Sequence, residues 1–174
     1  AFAYSNNVIF GKLAINNLTG TGIFSKAVEL GFNQELMKEI SLAKSKINIP
    51  TDQYSLAELA SGFNRDTMIS PVHGASLVSA VANDGILKNP FLVSSVKDTD
   101  TGEVLWSPGF KNARVMDETT ALEMKKLMAI TVKKGTARGS FRRLSRKIRR
   151  SYNIGGKTGS ITGGIPHGKR DWFV

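Results

Sequence analysis

The 174-residue sequence contains no cysteine. That removes disulfide staples, thiolate zinc sites and a cysteine nucleophile together. Histidine is almost as scarce: His73 and His167 are too few for a histidine-rich metal centre. No apolar run approaches the roughly 20 residues that a membrane-spanning helix needs. There are no internal repeats. Acidic residues all but vanish from the end of the chain. Residues 1–123 carry 10 basic and 13 acidic side chains, whereas residues 124–174 carry 14 and 1. The pI near 10 is therefore a local property. Its sharpest source is Arg142-Arg143-Leu144-Ser145-Arg146-Lys147-Ile148-Arg149-Arg150.

What is present suffices for a globular core. The hydrophobic share is 41%, which excludes disorder for the bulk of the chain, and the length fits one domain or most of one. The chain opens on Ala1 and closes on an apolar Trp172-Phe173-Val174, so both ends read as cut from something longer.

Periodicity and stop signals predict helices first. Ser5 is placed to cap a helix through Val8, Ile9, Leu13 and Leu18. Thr21 or Gly22 starts a second, ended at Gly31. Gln34 to Lys46 is a third candidate, stopped before Pro50. Ser70-Pro71 is a strong start signal for a helix running to Asn83-Asp84-Gly85. The second half changes period. Phe91–Val96 and Glu103–Trp106 flank Asp98-Thr99-Asp100-Thr101-Gly102, a hairpin signal. Asp117 caps a long helix ended by Gly135. Tyr152–Thr162 and Asp171–Val174 are strand candidates joined by a Gly/Pro turn.

Gly155-Gly156-Lys157-Thr158-Gly159-Ser160 is the most distinctive chemical segment. A phosphate loop needs another Gly where Ser151 stands, and a helix after the lysine. The chain instead continues from Ser160 into Ile161-Thr162-Gly163-Gly164-Ile165-Pro166, which cannot be a helix. The other reading is Lys-Thr-Gly on an edge strand beside a serine acyl-transfer cleft. There a lysine attracts a substrate carboxylate, Thr158 adds a hydroxyl, Gly159 lets a ligand backbone approach, and Ser160 lends an N–H to an oxyanion. Alone, the tripeptide is better explained as an ordinary glycine-rich hairpin with one exposed lysine. It is accompanied, however, by Ser5-Asn6-Asn7, a Ser-x-Asn at a helix start.

These strings occur in one order with Ile69-Ser70-Pro71-Val72-His73-Gly74-Ala75, Ala82-Asn83-Asp84-Gly85, Gly135-Thr136-Ala137 and Trp172-Phe173-Val174. Together they resemble the C-terminal part of a penicillin-binding protein transpeptidase domain, over nearly the whole chain. The resemblance implies an α/β fold of the α+β type, like β-lactamases and transpeptidases. It has an antiparallel sheet packed with helices and a mainly helical lobe. The chain would be a single partial domain, with residues 1–90 the helical lobe and 91–174 the sheet-containing one. The implied activity is a serine D,D-transpeptidase that cross-links peptidoglycan stem peptides and is acylated by β-lactams. No cofactor and no metal are implied. Ser5 and Lys157 would be catalytic, in the proton relay. Asn7 would bind the substrate amide, Thr158 the terminal carboxylate with Lys157, and Ser160 the oxyanion, with Gly159 giving access. The implied location is the outer face of a bacterial cytoplasmic membrane, with an anchor elsewhere.

One family element is missing. A Ser-x-x-Lys nucleophile should precede Ser-x-Asn. Ser41-Leu42-Ala43-Lys44 and Ser94-Ser95-Val96-Lys97 match by letter but come after it, and both are taken as decoys. A nucleophile outside the sequence is expected, leaving the chain unable to acylate by itself. A β-lactam sensor or a β-lactamase of the same fold are alternatives. So is a different class, a cationic module binding nucleic acid or a membrane surface through Arg142–Arg150. If helical, that stretch gathers Phe141, Leu144 and Ile148 on one face, suited to anionic lipid or wall polymer. A solvated surface is the simpler reading. Nucleic acid is not expected, because only Phe141 and Tyr152 flank the cations for stacking. His73 is assigned a packing or surface role, and His167 lies in a turn that could border the cleft.

Overall fold

The computed structural model describes residues 1–174 apart from Lys38, Phe110, Lys111 and Ile165, and describes Arg146, Arg149 and Arg150 by backbone alone. A short 3-10 turn, Phe2–Tyr4, leads into α1 (Asn7–Asn17) and α2 (Gly20–Glu29). Helices α3 (Gln53–Ser61) and α4 (Pro71–Ala82) complete the first half. Strands β1 (Ile86–Lys88), β2 (Val96–Lys97), β3 (Val104–Trp106) and β4 (Asn112–Arg114) come next. The chain ends with α5 (Glu118–Lys133), α6 (Arg138–Phe141), α7 (Arg146–Ser151), β5 (Thr158–Gly163) and β6 (Gly168–Phe173). The strands form three antiparallel pairs, β1–β4, β2–β3 and β5–β6, so the architecture is α+β.

Local chemistry sets most helix starts. Ser70 and Asp117 cap α4 and α5 as their sequences predict, accepting from the backbone N–H of His73 and Thr120. Asp98 Oδ1 accepts from the N–H groups of Asp100 and Thr101, which fixes the β2–β3 turn.

Other expectations are corrected. Asn6, not Ser5, caps α1: its side chain accepts from Ile9 N–H at 3.0 Å. Thr19 caps α2, slightly earlier than expected. Gln34–Lys46 is not a helix. Asn33 beside it exchanges side-chain hydrogen bonds with the backbone of Ile47, and Lys46 forms an antiparallel bridge with Met68. Long-range pairing thus overrides the helical spacing of Leu36, Met37 and Ile40. Helix α3 went unpredicted, although Asp52 and Ser55 form a reciprocal capping box. The basic stretch is not one helix. It breaks after α6 and restarts at Ser145, so Phe141, Leu144 and Ile148 do not share a helical face. The side chains of Arg146, Arg149 and Arg150 lie outside the described residues. Strand β5 begins only at Thr158, and β6 starts earlier, at Gly168.

The central core cluster is small: Ala80, Leu87 and Val115, flanked by Leu30 and Met116, where α4 meets the β1–β4 pair. His73 is fully buried, with Nε2 2.8 Å from the Leu30 carbonyl and its ring edge-on to Phe32. That is a packing role. Helix α1 packs on α3 through Gly11, against Ala57. Val8, Ile9 and Leu13 of the same helix stay exposed, alongside the polar Lys12, Asn16 and Asn17.

Candidate active site

The site is assembled from three places in the chain: the segment before α1, the turn after α5, and the start of β5. Ser5 ends the 3-10 turn in the left-handed region, with φ 49° and ψ 51°. Non-glycine residues in that region carry strain and cluster at functional sites. Because Asn6 takes the capping role, the Ser5 hydroxyl is left to face the cleft. Lys157 Nζ donates a hydrogen bond to Ser5 Oγ, across 152 positions of sequence. The same ammonium donates to the Thr158 carbonyl at 2.6 Å and lies 5.7 Å from the centroid of the Phe2 ring. Partial burial holds the Lys157 pKa below the ordinary lysine value, because water no longer solvates the charge fully.

The backbone carrying Lys157 is fixed tightly. Lys157 and Val174 exchange both backbone hydrogen bonds, at 2.8 and 3.1 Å, and Gly156 N–H donates to the Met128 carbonyl of α5. Glycine is required at 156: a Cβ there would meet the Phe173 ring, and the Val174 carbonyl at 2.6 Å. Phe173 also packs on Phe141, with ring centroids 5.2 Å apart, tying α6 to β6.

The register decides which amides are free. Antiparallel pairs alternate between those that exchange hydrogen bonds and those that do not. Since Lys157 and Val174 are a bonded pair, Gly159–Trp172 and Ile161–Arg170 are too. Thr158, paired with Phe173, and Ser160, paired with Asp171, therefore turn their N–H groups away from β6. Among the described residues no strand covers that edge of β5. The Ser160 N–H is thus presented on an open strand edge beside Lys157. The Ser160 hydroxyl points elsewhere: it donates to Asp171 Oδ1 at 2.6 Å. That bond, together with Lys169, holds the Asp171 carboxyl below its usual range.

Thr158 meets a residue that carried no predicted role. Its Oγ1 lies 2.5 Å from Thr136 Oγ1. The string Gly135-Thr136-Ala137 was visible in sequence, but only as a family match. Phe2 was likewise unassigned. Asn7, by contrast, is the exposed first residue of α1 and makes no side-chain hydrogen bond among the described residues. It borders a 330 Å³ groove between α1 and α3. Gly159 is exposed, and a Cβ there would only touch Trp172 Cβ at an ordinary 3.5 Å. The fold itself therefore does not require glycine at 159. His167 stands in the turn at the far end of the β5–β6 hairpin. Six residues at about 3.3 Å each separate that end from Lys157, so His167 is not in contact with the lysine.

Neither Ser-x-x-Lys match lies on a helix. Ser41–Lys44 is irregular, and Ser94–Lys97 runs into β2. The described site thus holds a lysine, a serine hydroxyl bonded to it, two threonine hydroxyls and an edge amide. That set can hold a carboxylate, move a proton and stabilise an oxyanion.

The penicillin-binding protein transpeptidase domain model matches residues 1–174. Peptidoglycan D,D-transpeptidase PbpA of Mycobacterium tuberculosis is 26% identical over 142 residues, covering 80% of this chain and 28% of that protein. Its counterpart in Mycolicibacterium smegmatis is 28% identical over 146 residues, covering 80% and 29%. The chain therefore spans less than a third of the curated relatives it matches. Among solved structures, the D,D-transpeptidase domain of a peptidoglycan glycosyltransferase from Eggerthella lenta matches with a TM-score of 0.78. It is 24% identical, covering 100% of this chain and 43% of that one. That likeness shows the fold.

Proposed function

The chain belongs to the penicillin-binding protein transpeptidase domain family, and from that premise we propose that it is a partial domain of a peptidoglycan D,D-transpeptidase, carrying two walls of the acyl-transfer cleft. The observation that carries this reading is the contact between Lys157 Nζ and Ser5 Oγ. A lysine with a depressed pKa beside a serine hydroxyl is a proton relay in waiting.

The reaction is built from the donors present. A nucleophilic serine, supplied by a segment that this chain does not contain, attacks the penultimate D-Ala carbonyl of a stem peptide. A C–O bond forms and the C–N bond to the terminal D-Ala breaks. The serine proton passes through Lys157 and Ser5 to the departing amine. The Ser160 N–H, on its open strand edge, donates to the developing oxyanion. Lys157 and Thr158 hold the terminal carboxylate, Asn7 binds the peptide amide, and Gly159 leaves the approach clear. An amine of a neighbouring stem then attacks the ester: a C–N bond forms, the C–O bond to the serine breaks, and a proton from the amine returns to the serine oxygen. A β-lactam offers the same carboxylate and carbonyl but leaves a slow acyl-enzyme.

Substrates of this kind place the site at the outer face of the bacterial cytoplasmic membrane. Arg142–Arg150 precedes the β5–β6 hairpin in the chain and is read as a solvated surface. Its charge also suits anionic lipid or wall polymer, a reading that rests on charge alone. The test is acylation by fluorescent penicillin of a protein joining these 174 residues to a Ser-x-x-Lys helix. Labelling is expected, slowed about 10²-fold or more by Ser5→Ala. An unlabelled parent protein would sink the proposal.

A further inference from the structure

Thr136 sits where the two walls of the cleft are tied together. Its backbone N–H donates to the Ala3 carbonyl at 3.0 Å, two residues before Ser5. Its Oγ1 contacts Thr158 Oγ1 at 2.5 Å, one residue after Lys157. The turn that presents it is rigid. The Gly135 N–H donates to the carbonyls of Ile130 and Thr131, and the Ala137 N–H to that of Thr131. Ala137 and Thr131 are buried, and the Thr131 hydroxyl bonds back to the Leu127 carbonyl. Gly135 fits because the Ala3 carbonyl occupies the place where a Cβ would stand. Thr136 is thus pinned by main chain on both sides, while its side chain is exposed toward Thr158.

A hydroxyl has one proton and two acceptor lone pairs. If Thr158 is to donate its proton to a carboxylate, the partner at 2.5 Å must donate to Thr158. Thr136 is then the donor, and the chain runs from Thr136 O–H to Thr158 Oγ1, and from Thr158 O–H to the ligand. Hydrogen bonds in series polarise one another in the same sense, which strengthens the terminal donor. Lys157 completes the cradle with its charge.

We propose that Thr136 is a positioning residue, which orients the Thr158 hydroxyl as a donor and so gives the cleft its preference for a free carboxylate over a neutral terminus. This rests on the function proposed above. The test uses the 174-residue chain and NMR titration with N-acetyl-D-alanyl-D-alanine and with its C-terminal amide. The parent chain should favour the carboxylate form. Thr136→Val should weaken carboxylate binding about three- to tenfold, the scale of one hydrogen bond, and leave amide binding within about twofold. Thr136→Ser should restore the preference. A purely structural role would weaken both ligands together. Thr136→Ala removes the hydroxyl with less added bulk, should valine not be accommodated. Thr158→Val serves as the reference. If it abolishes the preference while Thr136→Val and Thr136→Ala keep it, the inference is overturned and the reading of the cleft stands. If Thr158→Val also changes nothing, or the parent shows no preference, the reading of the cleft fails and this inference falls with it.

Discussion

Replacing Lys157 by methionine removes the ammonium at nearly constant length and separates chemistry from stability. In the folded chain the ammonium donates to Ser5 Oγ and to the Thr158 carbonyl, and faces the Phe2 ring. A contact of the last kind is worth about 0.5–1 kcal/mol at an exposed site. Each hydrogen bond from the charged donor adds roughly 1.5–3 kcal/mol, most of which is offset by the cost of desolvating the charge. The net loss on Lys157→Met should therefore stay within about 1–2 kcal/mol, a fall in Tm of about 2–8 °C for a chain of this size. Catalysis should fall much further. Losing a preorganised electrostatic contact typically slows the chemical step about 10²–10³-fold, or about 2.7–4 kcal/mol. Second-order acylation rates should be measured on a protein joining this chain to its nucleophile, with thermal unfolding alongside. Lys157→Arg should also react slowly, because the fork-shaped guanidinium keeps its proton and cannot act as a relay. The pH dependence has a defined sign. Burial lowers the Lys157 pKa, so between that lowered value and the ordinary one the unfolded chain binds more protons. Stability then rises with pH across this window, as the penalty on the buried charge is relieved. Lys157→Met should lose that increment. A methionine variant that acylates at the parent rate would refute the site.

Three further outcomes are expected. The 174-residue chain alone should form no covalent adduct with fluorescent penicillin, checked by mass spectrometry; labelling at Ser41 would reinstate the internal match as nucleophile. Asn6→Ala should cost about 1 kcal/mol in chemical unfolding, the usual value of a helix cap, whereas Ser5→Ala should leave α1 intact; the reverse ranking would return the cap to Ser5. Gly156→Ala should destabilise by about 1–3 kcal/mol through overpacking against Phe173 and Val174, and an unchanged Tm would contradict that packing.

Legibility tracked the range of the forces involved. Where a signal is local it was readable. Ser70-Pro71 and Asp117 start α4 and α5 because cap, proline and apolar stripe act within one turn. Where a distant partner decides, the pattern misled. Gln34–Lys46 has helical spacing, but Asn33 binds the Ile47 backbone and Lys46 pairs with Met68. Strands β1 and β4 are three residues each, too short for alternation to register, and exist because they pair with one another. The basic stretch has the composition of an amphipathic helix, yet Ser145 caps a fresh start inside it.

The site shows the same division in a sharper form. Ser5 and Lys157 are paired in sequence only by the order of short motifs, since no periodicity links residues 152 positions apart; the fold brings the two side chains into contact. The assignment of Ser5 to a cap came from a sound local rule applied one residue too early. Asn6 is as good a cap as serine, and its taking that place is what leaves the Ser5 hydroxyl for Lys157. A capping serine would spend its oxygen on an N–H of α1 and could not serve both partners equally well. The sequence Ser-Asn-Asn therefore divides two tasks between adjacent residues: Asn6 satisfies the helix, and Ser5 sits in the left-handed conformation facing the lysine. The role of Thr136 is not legible in its motif for a related reason. Its contact with Thr158 spans 22 positions and depends on a turn shaped by the Ala3 carbonyl, so only the assembled fold brings the two hydroxyls within 2.5 Å.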